Sequence, residues 1–204
     1  MAEPLPSCFT VMATGQIEGA DLNGNDNAYC KFHFVAGEDW QLLDGLEEGI
    51  TQSSRVSQGP DQMLVWNFPL DVTYKSTNAF GWPQLVVSVY GLDYLGRDVI
   101  KGYGCMHLPT CAGRHTLKLR LFKPRSASGL QSFLAWLSGM PAEFSDPRFP
   151  SYGEGREVTR VVSGGYVIAQ INVMTKDMEL FGYTDGSSRG NANTAQGPAL
   201  QGLF

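Results

Sequence analysis

The sequence predicts an all-β domain, an antiparallel sandwich or barrel of about eight short strands with one short helix in a late connection. Three observations point there. Glycine (24) and proline (11) make up about a sixth of the 204 residues, and charged residues reach only 17% against the usual ~25%, which disfavours long helices and coiled coils. An apolar content of 43% with eleven Phe, eight Tyr and four Trp supplies a core and excludes a wholly disordered chain. Apolar side chains also recur at every second position in short runs, the period of a half-buried strand.

The runs follow one another closely. Phe9, Val11, Ala13, Gly15 and Ile17 alternate with polar or small neighbours, and Ala28 to Val35 places Cys30, Phe32 and Phe34 on one face. Further strands are expected over Met63 to Lys75, Gln84 to Tyr90, Asp98 to Leu108, His115 to Phe122, Glu157 to Val162 and Tyr166 to Met174. The segments DLNGND, QGPD, NAFGWP, LDYLGRD and PTCAGR supply the turn chemistry between them. Pro69 has no N–H to give a ladder, so it marks a bulge or an edge. Leu130, Phe133, Leu134 and Leu137 fall at helical spacing, with Ser128 near the start and Gly139 and Pro141 past the end. Met174 to Phe181 reads as a second short turn of helix. Residues 1–7 form an N-terminal extension, and beyond Tyr183 the composition turns to Gly, Ser, Asn and Gln, predicting a flexible tail over 184–204.

The formal charge of −5 argues against nucleic acid, because phosphate binding needs a basic surface. The sum hides an asymmetry. Residues 1–71 hold eleven acids and two bases, whereas 97–125 hold seven bases and one acid. An acid and two prolines stand near the N-terminus where a signal peptide has a basic flank and an apolar run. No segment approaches the ~20 apolar residues of a membrane span. The four cysteines show no CxxC pair and no N-x-S/T sequon occurs, so the chain reads as intracellular, with reduced thiols and no export.

Chemical motifs are weak. Asp21, Asn23, Asn25, Asp26 and Asn27 offer oxygens for calcium, but Asp26 stands where an EF-hand needs Gly and Phe32 where it needs a bidentate acid. A hydrated turn explains the cluster. Cys105, His107, Cys111 and His115 carry zinc-ligand chemistry at a spacing that fits no known finger; buried thiols and strand-end histidines account for them. No G-x-S-x-G accompanies the three histidines, and GEGRE (Gly153 to Glu157) lacks the GK[ST] ending of a P-loop. The residues therefore predict no enzyme, metal or cofactor. Lys118 and Arg120 alternate with Leu117, Leu119 and Leu121, with Lys123 and Arg125 just beyond. That pattern is a candidate surface for anionic lipid head groups or an acidic partner, or else an ordinary solvated strand face.

Several segments together resemble the B9 domain family of the ciliary transition-zone (Meckel syndrome) module. They are GLEEGITQ (Gly45 to Gln52), LVWNFPLDVTYKSTNAFGWPQLVVSVYG (Leu64 to Gly91), GRDVIKGYG (Gly96 to Gly104), GRH (Gly113 to His115), GEGREVTRV (Gly153 to Val161) and VMTKDM (Val173 to Met178). The resemblance spans residues 8–183 and implies a C2-type β-sandwich over that range. It implies a non-enzymatic scaffold at the cilium base (transition zone, basal body, cytoskeleton-associated), needed for cilium assembly and for gating membrane-protein entry. The implied partners are two paralogous B9-domain proteins and tectonic-type and other transition-zone membrane proteins. Calcium-binding C2 domains carry a D-x-D pair in a late loop; here GLDYLGRD offers only Asp93 and Asp98. For a scaffold, Trp66, Phe68, Trp82 and Tyr90 are candidate interface aromatics, with core packing as the other fate of large rings.

Overall fold

A computed structural model describes residues 6–22, 27–59, 62–93, 95–124, 151 and 161–183. The predicted helix over 128–139, the start of the strand predicted from Glu157, Arg125, GEGRE, the tail, and Asn23, Asn25 and Asp26 lie outside these residues.

Nine antiparallel strands run β1 (Phe9–Asp21), β2 (Ala28–Val35), β3 (Gln41–Gly45), β4 (Glu48–Ile50), β5 (Leu64–Ser76), β6 (Gln84–Leu92), β7 (Asp98–His107), β8 (Gly113–Pro124) and β9 (Val161–Lys176). A one-turn 3-10 helix (Met178–Phe181) follows; the helical turn expected from Met174 starts later, because Met174 to Lys176 still pair with β1 as the end of β9. Spatially the order is β3-β5-β1-β9-β8-β7-β6-β2-β4. The β7–β8 ladder is a single pair, Tyr103 with Phe122. There the sheet folds over, leaving β3-β5-β1-β9-β8 as one layer of a sandwich and β7-β6-β2-β4 as the other.

The alternation predicted for the first two strands is the burial observed. Phe9, Val11, Ala13 and Ile17 of β1, and Cys30, Phe32 and Phe34 of β2, all point into the core. Across the layers the Phe32 and Phe68 rings lie 5.6 Å apart, and the Trp66 indole donates to the Ala28 carbonyl at 3.1 Å. Trp40 closes one end, edge-on to Phe9, Tyr74 and Trp82.

Two differences from the sequence reading have local causes. β9 runs unbroken through Gly164 and Gly165, which read as a boundary between two strands. The register against β8 shifts between Arg120 and Phe122, with Gly165 at φ 103°, so the glycines form a bulge that bends the strand without ending it. β3 and β4 were not predicted, because they carry no alternation: all five residues of β3 are exposed. Pro69 sits two residues from a bulge, where Asn67 takes φ 46° and the β1 register shifts. It also lies beyond the stretch of β5 that β3 covers.

Candidate interaction surfaces

The outer face of the five-stranded layer is polar. On β8 the odd-numbered residues Leu117, Leu119 and Leu121 are buried, which turns Arg114, Lys118 and Arg120 outward. Arg114 donates to Gln170 Oε1 at 2.7 Å, and Gln170 Nε2 donates to Glu18 Oε2 at 3.0 Å, a chain of contacts across β8, β9 and β1. Thr14, Gln16, Arg114, Gln170 and Asn172 line a shallow, open depression of about 380 Å³ there. The Lys118 ammonium sits 3.6 Å from the Tyr166 ring centroid, a cation–π contact that leaves the charge at the surface.

Of the other predicted cations, Lys123 is half-buried and lies beside Lys101: a Cβ at Gly164 would meet the Lys101 carbonyl at 3.0 Å and Lys123 Cε at 3.6 Å. Burial, then the Lys101 charge, pushes the Lys123 ammonium below the usual lysine range. Lys101, 8% exposed, is the extra residue where β7 bulges against β6 and donates to the Leu92 carbonyl at 3.1 Å. Its pKa is lowered by burial and partly restored by Asp93. The structure thus places Lys118 and Arg120 on one outer face and Lys123 at a corner of the sandwich.

The aromatic candidates are held by the fold. Trp66 is 3% exposed. Phe68 is half-buried against Phe32, and Trp82 is half-buried against Trp40 with its indole donating to the Leu108 carbonyl at 2.9 Å. Tyr90 stacks on Tyr29 at 5.6 Å with the Lys31 ammonium 4.4 Å from its ring, and is half-buried. The turn joining β5 to β6 instead exposes Phe80, at 81%.

Asp93, Asp98 and His115 have protein partners. The Asp93 carboxylate accepts from the backbone N–H groups of Leu95 (2.8 Å) and Arg97 (2.9 Å) and pairs with the Arg97 guanidinium. Those contacts, the Arg97 backbone bond first, hold it below the usual carboxylate range. Asp98 accepts from the Tyr29 hydroxyl at 2.5 Å. His115 Nε2 donates to the Cys111 carbonyl at 2.9 Å, and no group of three or more His, Cys, Asp or Glu among the described residues is arranged to hold a metal ion. Of the Asx-rich segment, Asn27 takes φ 59° and its Oδ1 accepts from Ser53, which is turn chemistry.

The surface that sequence reading missed is the segment joining the two terminal strands. Residues 41–50, QLLDGLEEGI, cross from β3 in one layer to β4 in the other and expose Leu42, Leu43, Leu46 and Ile50. The signal was Gly45 and Gly49 set among leucines and acids with neither a helical nor a strand period.

The described residues thus form a sandwich with polar and basic groups on one sheet face and an exposed apolar connection between its terminal strands. The family model described as "Ciliary basal body-associated, B9 protein" (B9-C2) matches residues 11–174, and the chain belongs to that family. It is 52% identical to B9 domain-containing protein 1 of Xenopus laevis over 183 residues, 90% of this chain and 92% of that one. It is equally similar, at 52% over 188 residues, to B9 domain-containing protein 1 of Homo sapiens, covering 92% of each chain. With B9 domain-containing protein 2 of Homo sapiens it shares 30% identity over 172 residues, 84% of this chain and 97% of that one. Among solved structures it is similar to the C2A domain of plant extended synaptotagmin 1, at 13% identity and a TM-score of 0.35, covering 84% of this chain and 96% of that one. A score that low adds nothing to the fold, which the strand register defines. No helix among the described residues is long and apolar enough to cross a membrane.

Proposed function

We propose that this chain is a non-enzymatic scaffold subunit of a ciliary transition-zone complex, acting at the cilium base in cilium assembly and in gating membrane-protein entry. Its domain is taken as residues 8–183, and its partners as two paralogous B9-domain proteins together with tectonic-type and other transition-zone membrane proteins. The observation that carries this reading is the match to B9 domain-containing protein 1 along about nine-tenths of both chains. A sandwich whose sequence-distant strands bring an acidic, apolar connection and a basic strand to separate places is suited to directional packing between related domains. Affinity purification from ciliated cells should recover both paralogues with the tagged chain, and its deletion should let membrane proteins excluded from the cilium enter it. Recovery of neither paralogue, or unchanged gating after deletion, would sink the reading.

A second reading is favoured by the outward Arg114, Lys118 and Arg120: calcium-independent contact with anionic lipid head groups. Each basic residue near a charged bilayer contributes about 1 kcal/mol. Vesicle binding should then rise with phosphoinositide content, fall with salt and weaken about fivefold in Lys118→Gln. Binding indifferent to lipid charge and salt removes this reading.

A further inference from the structure

We propose that residues 41–50 are the surface through which this chain binds a partner sandwich, with the edge of β3 opposite β5 taking an added strand in which apolar side chains alternate with lysine or arginine. The inference rests on the scaffold reading and names its contact.

The polarity of this segment is inverted. In a surface strand the apolar residues face the domain and the polar ones face water. Here the glycines face the domain: a Cβ at Gly45 (φ +94°) would fall 2.2 Å from the Asp71 carbonyl oxygen, and one at Gly49 would lie 2.7 Å from the Phe32 ring. The large apolar residues face out, with Leu42, Leu43, Leu46 and Ile50 exposed by 41, 50, 69 and 57%. Scattered exposed leucines need no explanation, but four exposed large apolar residues within ten along β3, its connection and β4 are a dense set.

The segment is also held in place before any partner arrives. Leu46 N–H donates to the Asp71 carbonyl at 3.1 Å, Phe34 N–H to the Glu47 carbonyl at 2.6 Å, and the Tyr74 hydroxyl to Glu47 Oε1 at 2.9 Å. At the far end Thr51 N–H donates to the Cys30 carbonyl, and Thr51 Oγ1 accepts from the Cys30 N–H. The leucines therefore cannot fold inward, and little ordering entropy remains to be lost on binding.

The topology and charge define the occupant. β3 ends the nine-strand order and has one neighbour, β5, among the described residues, so its other edge presents backbone donors and acceptors to an incoming strand. Residues 38–50 carry Glu38, Asp39, Asp44, Glu47 and Glu48 and no Lys or Arg. Lys75 and Lys31 stand opposite Gln41 and Ile50 at the two ends of this segment, so the five acids still outnumber the neighbouring lysines, which disfavours an anionic bilayer and favours a basic protein strand. Paralogous B9 sandwiches are the partners that the scaffold reading supplies.

Calorimetric titration of the purified full chain with human B9 domain-containing protein 2 tests this. The double variant Leu43→Ser/Leu46→Ser should bind at least tenfold more weakly, and Asp44→Lys should also weaken binding, with melting temperatures unchanged because these side chains face solvent. Leu180→Ser, exposed on the 3-10 helix, should bind within twofold of the unaltered chain. Unchanged affinity in the double variant overturns the proposed surface and leaves the scaffold reading standing. Failure of the unaltered chain to bind the paralogue overturns the scaffold reading and this inference with it. If the double variant loses self-association or vesicle binding while keeping the paralogue, the assignment of the partner is overturned.

Discussion

At single residues the structure is defined by what each polar atom does once it leaves water. Cys30 is fully buried on β2, and burial pushes its thiol far above the ordinary cysteine range despite a backbone hydrogen bond from Ser88. In the unfolded chain that thiol loses its proton near pH ~8.5, while in the folded chain it stays protonated. The folded state then binds more protons, so the stabilisation is fully present below about pH 8.5 and is lost as pH rises, at up to ~1.4 kcal/mol per pH unit. Urea unfolding at pH 7.5 and 9.5 should show this fall in the unaltered chain and a shallower one in Cys30→Ala. Trp66 shows a smaller effect: Trp66→Phe keeps a ring and loses the indole bond to the Ala28 carbonyl, which still accepts from the Ser54 N–H, at a cost of about 0.5–1.5 kcal/mol. Denaturant melts would check it. Sequence identified Trp66 and Trp82 as notable residues but not their fate, because core and interface use the same aromatic chemistry, and only the geometry assigns these indoles to the Ala28 and Leu108 carbonyls.

Among the elements, those with a buried face were legible and those without one were not. β1, β2, β5 and β8 follow the period-2 pattern because one face packs against the opposite layer, whereas β6 and β7 are buried on both faces along their centres and read as strands through their turn-bounded runs. β3 and β4 pack through glycine, so their apolar residues carry no inward period. Gly164 and Gly165 read as a break for a related reason: glycine marks a bulge and a strand end with the same letter. The close approach at Gly45 is the most demanding of these features. Gly45→Ala combines a left-handed φ with a Cβ 2.2 Å from the Asp71 oxygen, and should lower stability by about 1–3 kcal/mol. It should also loosen residues 41–50, seen as faster amide exchange there with exchange in β1 and β9 unchanged. Equal exchange across the strap in the two proteins would contradict the role given to this glycine.

Over the whole molecule, the net charge of −5 describes no real surface. The acids concentrate around residues 38–50 on the connection between β3 and β4, and Arg114, Lys118 and Arg120 project from β8 on the far side of the five-stranded layer. This arrangement gives the sandwich two surfaces of opposite charge, which is the directionality that the proposed packing between related domains requires. Charge asymmetry along the sequence foreshadowed it; the inverted strap became visible only once β3 and β4 were placed at the two ends of the strand order. The proposed function requires that this sandwich bind a related sandwich. Light scattering on a size-exclusion column, with the purified chain mixed with human B9 domain-containing protein 2, measures it directly. The account predicts a single particle whose mass equals one copy of each chain, and two separate peaks at the masses of the individual proteins would contradict it.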